Sequence, residues 1–246
     1  MTLPDLASQI LYGRLGWAIV VATVICTLWR GAAPIPRGTL AAIMAGSLAA
    51  MALPGNLSPV WYLGLAFQYP SGLLVGCCLL RLTERWNGVR RSQAMPQSLA
   101  GVLAVAGLLL YLDALGLLTS GYYYTGFGGV LTPVVAVIAA GACALAIVRG
   151  HARGTAAAIL GAVVLFSVLR LPSGNLWDAL LDPLLFGWAL VALLVGALRR
   201  TGRRASDRIG AIDVDADVDA DPVPGPALQP LAAEHFSSLK EQVGGQ

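Results

Sequence analysis

Lysine is nearly missing from this chain: Lys240 stands alone against 15 arginines. Histidine is confined to His151 and His235, neither inside an apolar run, which excludes bis-histidine haem ligation and a Ser-His pair at membrane depth. The chain has no His-Glu-x-x-His zinc motif and no metal-type Cys/His spacing. Its four cysteines, Cys26, Cys77, Cys78 and Cys143, all fall in apolar stretches, where a thiol packs as a small hydrophobe. No cofactor and no metal are expected. Charge is scarce as well: 12% of residues are charged, against roughly 25% in soluble domains. Only Asp5, Glu84, Asp113, Asp178 and Asp182 are acidic before residue 200. An enzyme would have to work with the last three alone, so catalysis is not the favoured reading. The net charge of +3 adds a basic apolar part to an acidic tail, and it carries no inference about nucleic acid.

What the chain has is apolar length: 57% of residues are hydrophobic and the mean hydropathy is +0.73. A spanning helix needs about 20 mostly apolar residues, with a range near 17 to 25. Seven stretches qualify, giving an all-α polytopic membrane protein: residues 10–29, 38–53, 59–82, 97–118, 126–148, 154–169 and 176–198. The second and sixth lie near the lower length limit. The start, Met1-Thr-Leu-Pro-Asp5, has no basic region and does not read as a cleavable signal peptide.

Arginine placement sets an expected orientation, because short cytoplasmic loops are enriched in basic residues. Alternate loops carry Arg30 and Arg37, then Arg81, Arg85, Arg90 and Arg91, then Arg149 and Arg153, then Arg199, Arg200, Arg203 and Arg204. The loops between them, residues 54–58, 119–125 and 171–175, are uncharged. The amino terminus is therefore expected outside and the carboxyl terminus in the cytoplasm, in a bacterial inner membrane. Arg14 and Arg170, at outer ends, can reach the headgroups by snorkelling. Trp61, Tyr62, Tyr122, Tyr123, Tyr124 and Trp177 gather at outer ends. They read either as an interfacial belt or, for the triple tyrosine, as ligand contacts.

An internal repeat is visible. Arg37-Gly-Thr-Leu-Ala-Ala-Ile-Met44 matches Arg153-Gly-Thr-Ala-Ala-Ala-Ile-Leu160 at six of eight positions. The turn after each helix repeats too, Leu53-Pro-Gly-Asn-Leu57 against Leu171-Pro-Ser-Gly-Asn-Leu176. The expected plan is 3+1+3: parallel repeats over residues 10–82 and 126–198, with a linker helix at 97–118. This plan resembles that of the SWEET-type sugar facilitators and of the bacterial vitamin permeases of the nicotinamide-riboside type. The resemblance lies in topology alone and transfers no functional residue. In such proteins, substrate sites lie at the repeat interface. The helix number and orientation are also similar to those of microbial rhodopsins, but no lysine lies in the last apolar run to hold retinal.

Ionisable groups inside spans cost about 2.5 kcal/mol or more and need a reason. Asp113 lies near the outer end of the fourth span. It is either a substrate contact or a carboxylate that hydrates at the interface or pairs with Arg170. Asn175, Asp178 and Asp182 fall at i, i+3 and i+7, on one face of a helix. Asn175 and Asp178 read mainly as a helix cap, whereas Asp182 lies deeper, beside Pro183. Gln68-Tyr-Pro-Ser-Gly72 interrupts the third span, and Thr132-Pro133 falls in the fifth. The helix-breaking positions are thus Pro70, Pro133 and Pro183, and Pro70 and Pro183 do not align across the repeat. The candidate substrate-binding residues are Gln68, Tyr69, Asp113, Tyr123 and Asp182.

The membrane part is expected over residues 1–200 and a largely disordered cytoplasmic tail over 201–246. The tail joins a basic cluster to the alternating Asp213 to Asp221 run, which lacks the turn glycine and the closing glutamate of a calcium loop. Two functional readings remain, both with the lipid bilayer as partner. One is a small transporter-like protein. The other is a non-catalytic accessory subunit of an envelope biosynthesis or secretion complex, with a membrane-protein partner, whereas a homo-oligomeric form belongs with the first.

Overall fold

A computed structural model of the chain describes residues 4–29, 35–88, 95–128 and 131–218, with side chains as far as residue 202. The described residues are helical and contain no strand. In chain order the helices are α1 (Leu6–Leu28), α2 (Arg37–Ala52), α3 (Pro59–Phe67), α4 (Gly72–Trp86), α5 (Gln97–Ala114), α6 (Tyr122–Thr125), α7 (Leu131–Val148), α8 (Arg153–Leu169), α9 (Leu176–Leu180) and α10 (Pro183–Val218). A single 3-10 turn, Gly55–Leu57, joins α2 to α3.

Among the described residues, four helices are long and apolar enough to cross a membrane: Leu6–Leu28, Gln97–Ala114, Leu131–Val148 and Pro183–Gly202. Helices α2 and α8 are apolar but have 16 and 17 residues. At 1.5 Å per residue they rise about 25 Å, short of a hydrocarbon core of about 30 Å. Of the seven apolar stretches, the third is split at the expected interruption into α3 and α4, and the seventh is split into α9 and α10. Large apolar side chains such as Leu65, Val102, Val137 and Val168 are more than three-fifths exposed. A surface this apolar suits lipid rather than water.

Two of the breaks follow from local chemistry. Helix α3 ends at Gln68, whose φ of 60° and ψ of −117° leave the helical region. Pro70 then prevents continuation, and Ser71 starts α4 as its N-cap, accepting the Leu74 N–H at 3.0 Å. Helix α9 ends because Leu181 is extended, at φ −145° and ψ 132°. Pro183 follows as the first residue of α10, where its missing N–H costs nothing. Pro183 therefore begins a helix and does not kink one. Pro133 lies in the first turn of α7 and interrupts nothing, since the first-turn N–H groups have no intrahelical partner. Asn175, Asp178 and Asp182 do not share a face, because the chain is extended between the last two.

Residues Met1–Leu198 form one compact unit and Arg199–Gln246 another. In the first, Trp17 and Ala18 of α1, Leu73 and Leu74 of α4, Ala100 and Leu103 of α5, and Leu185 and Ala189 of α10 make the main buried cluster. Helices α4 and α8 approach through small residues. A Cβ on Gly72 would lie 3.1 Å from the Ala162 Cα, and one on Gly76 would lie 3.1 Å from the Ala158 Cα. The four-residue spacing on both helices is the small-xxx-small pattern that lets membrane helices touch backbone to backbone. In the second unit, the chain is helical as far as Val218, a stretch that holds the basic cluster and the first aspartates. Alanine and arginine are strong helix formers, and they fill much of the stretch just after Leu198. Arg30, Arg90, Arg91 and residues 219–246 lie outside the described residues.

Candidate functional site: a cavity, a helix-break junction and an aspartate-tyrosine network

The break at Gln68–Ser71 exposes backbone groups that the interior must satisfy. Helix α1 supplies two donors: Trp17 Nε1 donates to the Gln68 carbonyl at 3.2 Å, and the Tyr12 hydroxyl donates to the Pro70 carbonyl at 2.7 Å. The Ser71 N–H is taken by Asp182. Oδ2 of Asp182 accepts it at 2.6 Å, while Oδ1 accepts the Leu185 N–H at 2.7 Å. Asp182 is buried, with 6% exposure, and Ser71 has none. One carboxylate thus caps α10 and binds the residue that caps α4. Two positive helix ends converge on it, which is what a buried anion requires.

Asp113 lies at the end of α5 and curls back onto the loop that follows. It accepts the Ser120 hydroxyl at 2.6 Å, the Gly121 N–H at 2.9 Å and the Tyr123 N–H at 2.7 Å. It contacts neither open space nor Arg170, whose guanidinium lies over the Phe166 ring. The Tyr123 hydroxyl donates to Asp178 at 3.2 Å, and Ser173 Oγ donates to the same carboxylate. Asn175 caps α9 as expected, accepting the Trp177 N–H at 3.0 Å, and its amide donates to the Tyr123 carbonyl at 3.3 Å. Asp178 does not reach back to the Asn175 N–H, which goes to Ser173 Oγ instead. Burial, and then the charge of Asp178 beside it, push the Tyr123 hydroxyl up to about 12. Tyr122 and Tyr124 are about two-thirds exposed, while Tyr123 is half-buried and ties the end of α5 to the Asn175 turn and to α9.

Next to these elements is a cavity of about 620 Å³. Its wall combines the start of α1 (Gln9, Ile10, Arg14), the turn after α2, helix α3, the Gln68–Tyr69 break and the Pro172–Ser173 turn. Gln9 Nε2 donates to the Pro172 carbonyl at 3.0 Å and fixes one edge. The five sequence-predicted contacts therefore divide into three places. Gln68 and Tyr69 line the cavity, Asp113 and Tyr123 belong to the loop network, and Asp182 is enclosed at the helix-break junction. The polar cavity residues that sequence reasoning missed are Gln9, Arg14, Ser58 and Ser173. Arg14 did carry a signal, since it is an arginine on the side where the alternation calls for none. Ser71 carried none, because a serine after a proline is ordinary in sequence.

Compared with protein-family models, with curated proteins and with solved structures, the chain matches none. The class reached by the fold is a helical membrane protein, and anything narrower depends on the cavity.

Proposed function

We propose that this is a seven-span bacterial inner-membrane protein, amino terminus outside, whose cavity binds a small substrate on the outer side: a transporter-like protein built from two three-helix units around a linker helix. The observation that carries this reading is the cavity, which has both repeat turns in its wall, through Leu53 and Gly55 on one side and Pro172 and Ser173 on the other. Substrate sites at a repeat interface, beside broken helices, are the transporter arrangement. Each repeat places its broken helix after its turn, α3 with α4 and α9 with α10. Support for the seven-span plan comes from Arg37 and Arg153 each opening a helix, and from Arg37 donating to the Trp86 carbonyl at 3.1 Å, which joins two arginine-bearing loops at one end.

Gly64 provides the test. It lines the cavity, and nothing lies within 4 Å of a Cβ built on it. Gly64→Trp should fill the cavity while leaving the fold intact. The reading predicts that this variant reaches the membrane, runs as a folded species in detergent, and fails to complement a deletion strain. Full complementation by the folded variant would overturn the cavity-based role. Orientation is tested separately, by a periplasm-active reporter after Gln246, which should stay silent.

One observation favours the accessory-subunit reading: Asp113, Asp178 and Asp182 all have intramolecular hydrogen-bond partners, as residues that only close helix ends would. Purification in mild detergent separates the readings, since a stoichiometric co-purifying membrane protein supports the second.

A further inference from the structure

The polar side chains around the cavity fall into two sets. Ser58 Oγ donates to the Met51 carbonyl, Ser173 Oγ donates to Asp178, and the Gln9 amide donates to Pro172, so these three are committed to the fold. The side chains of Arg14, Gln68 and Tyr69 make no hydrogen bond among the described residues, and all three carry donors. Among the described residues, Arg14 is the only charged residue lining the cavity, and no carboxylate lines it. A cation without a counter-charge, beside an amide and a phenol, is a site for an acceptor-rich anion. The rest of the wall is apolar, and Trp61 and Leu65 are 56% and 73% exposed, so this side is open.

We propose that the cavity takes an anionic amphiphile, a single phosphate or carboxylate head on an aliphatic chain. The head lies at Arg14, within reach of Gln68 and Tyr69, and the chain leaves along Trp61 and Leu65 into the surrounding lipid. The ligand is drawn from the bilayer, since a soluble anion would leave the apolar wall unused. This assignment rests on the substrate-cavity reading and names its ligand class.

Fluorescence quenching of Trp61 tests it. The probes are a chain-brominated dodecyl phosphate, the matching brominated dodecyl-trimethylammonium, and inorganic phosphate as competitor. All are added to the full-length protein in a neutral maltoside micelle. The Trp61→Phe variant defines which part of the quenching arises at the cavity. The brominated phosphate should quench that part saturably, with an apparent affinity about tenfold weaker in Arg14→Gln and partly restored in Arg14→Lys. The brominated cation should quench only by micelle partitioning, equally in all three proteins, and inorganic phosphate should not compete at equal concentration. Equal quenching by cation and anion, or an unchanged affinity in Arg14→Gln, overturns the proposal. Competition by inorganic phosphate alone overturns the amphiphile and leaves a soluble anion. If the amphiphile fails while Gly64→Trp still abolishes complementation, the cavity keeps its role with a different ligand.

Discussion

Oδ2 of Asp182 accepts the backbone N–H of Ser71 at 2.6 Å, across 111 residues of sequence. The bond joins two interrupted helices at their starting ends, and it explains why a carboxylate is tolerated in a site with 6% exposure. Its chemistry is that of a shared cap, with both oxygens on backbone donors. Asp182→Ala removes a cap and leaves a buried N–H without an acceptor. The expected loss is roughly 2 to 4 kcal/mol, seen as a lower midpoint in thermal unfolding in detergent. Asp182→Asn should fall between, since its one carbonyl oxygen can serve Leu185 or Ser71 but not both. A wild-type midpoint in Asp182→Ala would show that the bond carries no stability.

The loop network predicts coupling. Tyr123→Phe deletes a single hydrogen bond to Asp178 and should cost about 1 kcal/mol. Asp178→Asn weakens the same contact, so the double variant should be less destabilised than the sum of the two by at least about 0.5 kcal/mol. Strict additivity in a double-mutant cycle would mean that the two side chains do not interact.

Tyr123 also makes a prediction about pH. Its hydroxyl is held up to about 12 in the folded state by burial and by the neighbouring Asp178 charge, above the ordinary tyrosine value of 10. The fold prefers the neutral phenol. The stability this adds is therefore complete below pH 10 and is lost as pH rises through about 12. The difference between wild-type and Tyr123→Phe ultraviolet titrations should show a phenol ionising near 12 and not near 10. Ionisation at the ordinary value would place Tyr123 in solvent.

Helix contact through small residues predicts a strong positional contrast. Gly76→Leu drives a side chain into the Ala158 backbone, whereas nothing lies within 4 Å of a Cβ on Gly161. The first substitution should cost at least about 1 to 3 kcal/mol or abolish folded yield, and the second should stay within about 0.5 kcal/mol. Yield and monodispersity on size-exclusion chromatography give the comparison. Similar behaviour of the two variants would remove the α4–α8 contact from the stabilising set.

Helix positions were largely legible from apolar length, because lipid imposes it on any stretch that crosses. Residues 10–29 and 97–118 correspond to α1 and α5 with small shifts at the ends. The interruption at Gln68–Gly72 was legible too, since proline and glycine act on the local backbone. The continuous face drawn through Asn175, Asp178 and Asp182 was not there, because it assumed a helix across Leu181–Asp182. The helix stops at Leu181, whose backbone is extended at φ −145° and ψ 132°, two residues before Pro183.

Hydropathy, arginine spacing and the repeated turns belong to the chain as written: each is a one-dimensional property that the solvent or the local backbone reads directly. They determined a helical membrane protein and a short roster of costly polar side chains. What each of those side chains does was decided only by packing. Asp113 and Asp178 close loops, Asp182 joins two helix starts, and Arg14, first read as a snorkelling residue, faces a cavity. The physical reason is that a buried carboxylate takes the nearest free N–H groups, and those groups come from segments far apart in sequence.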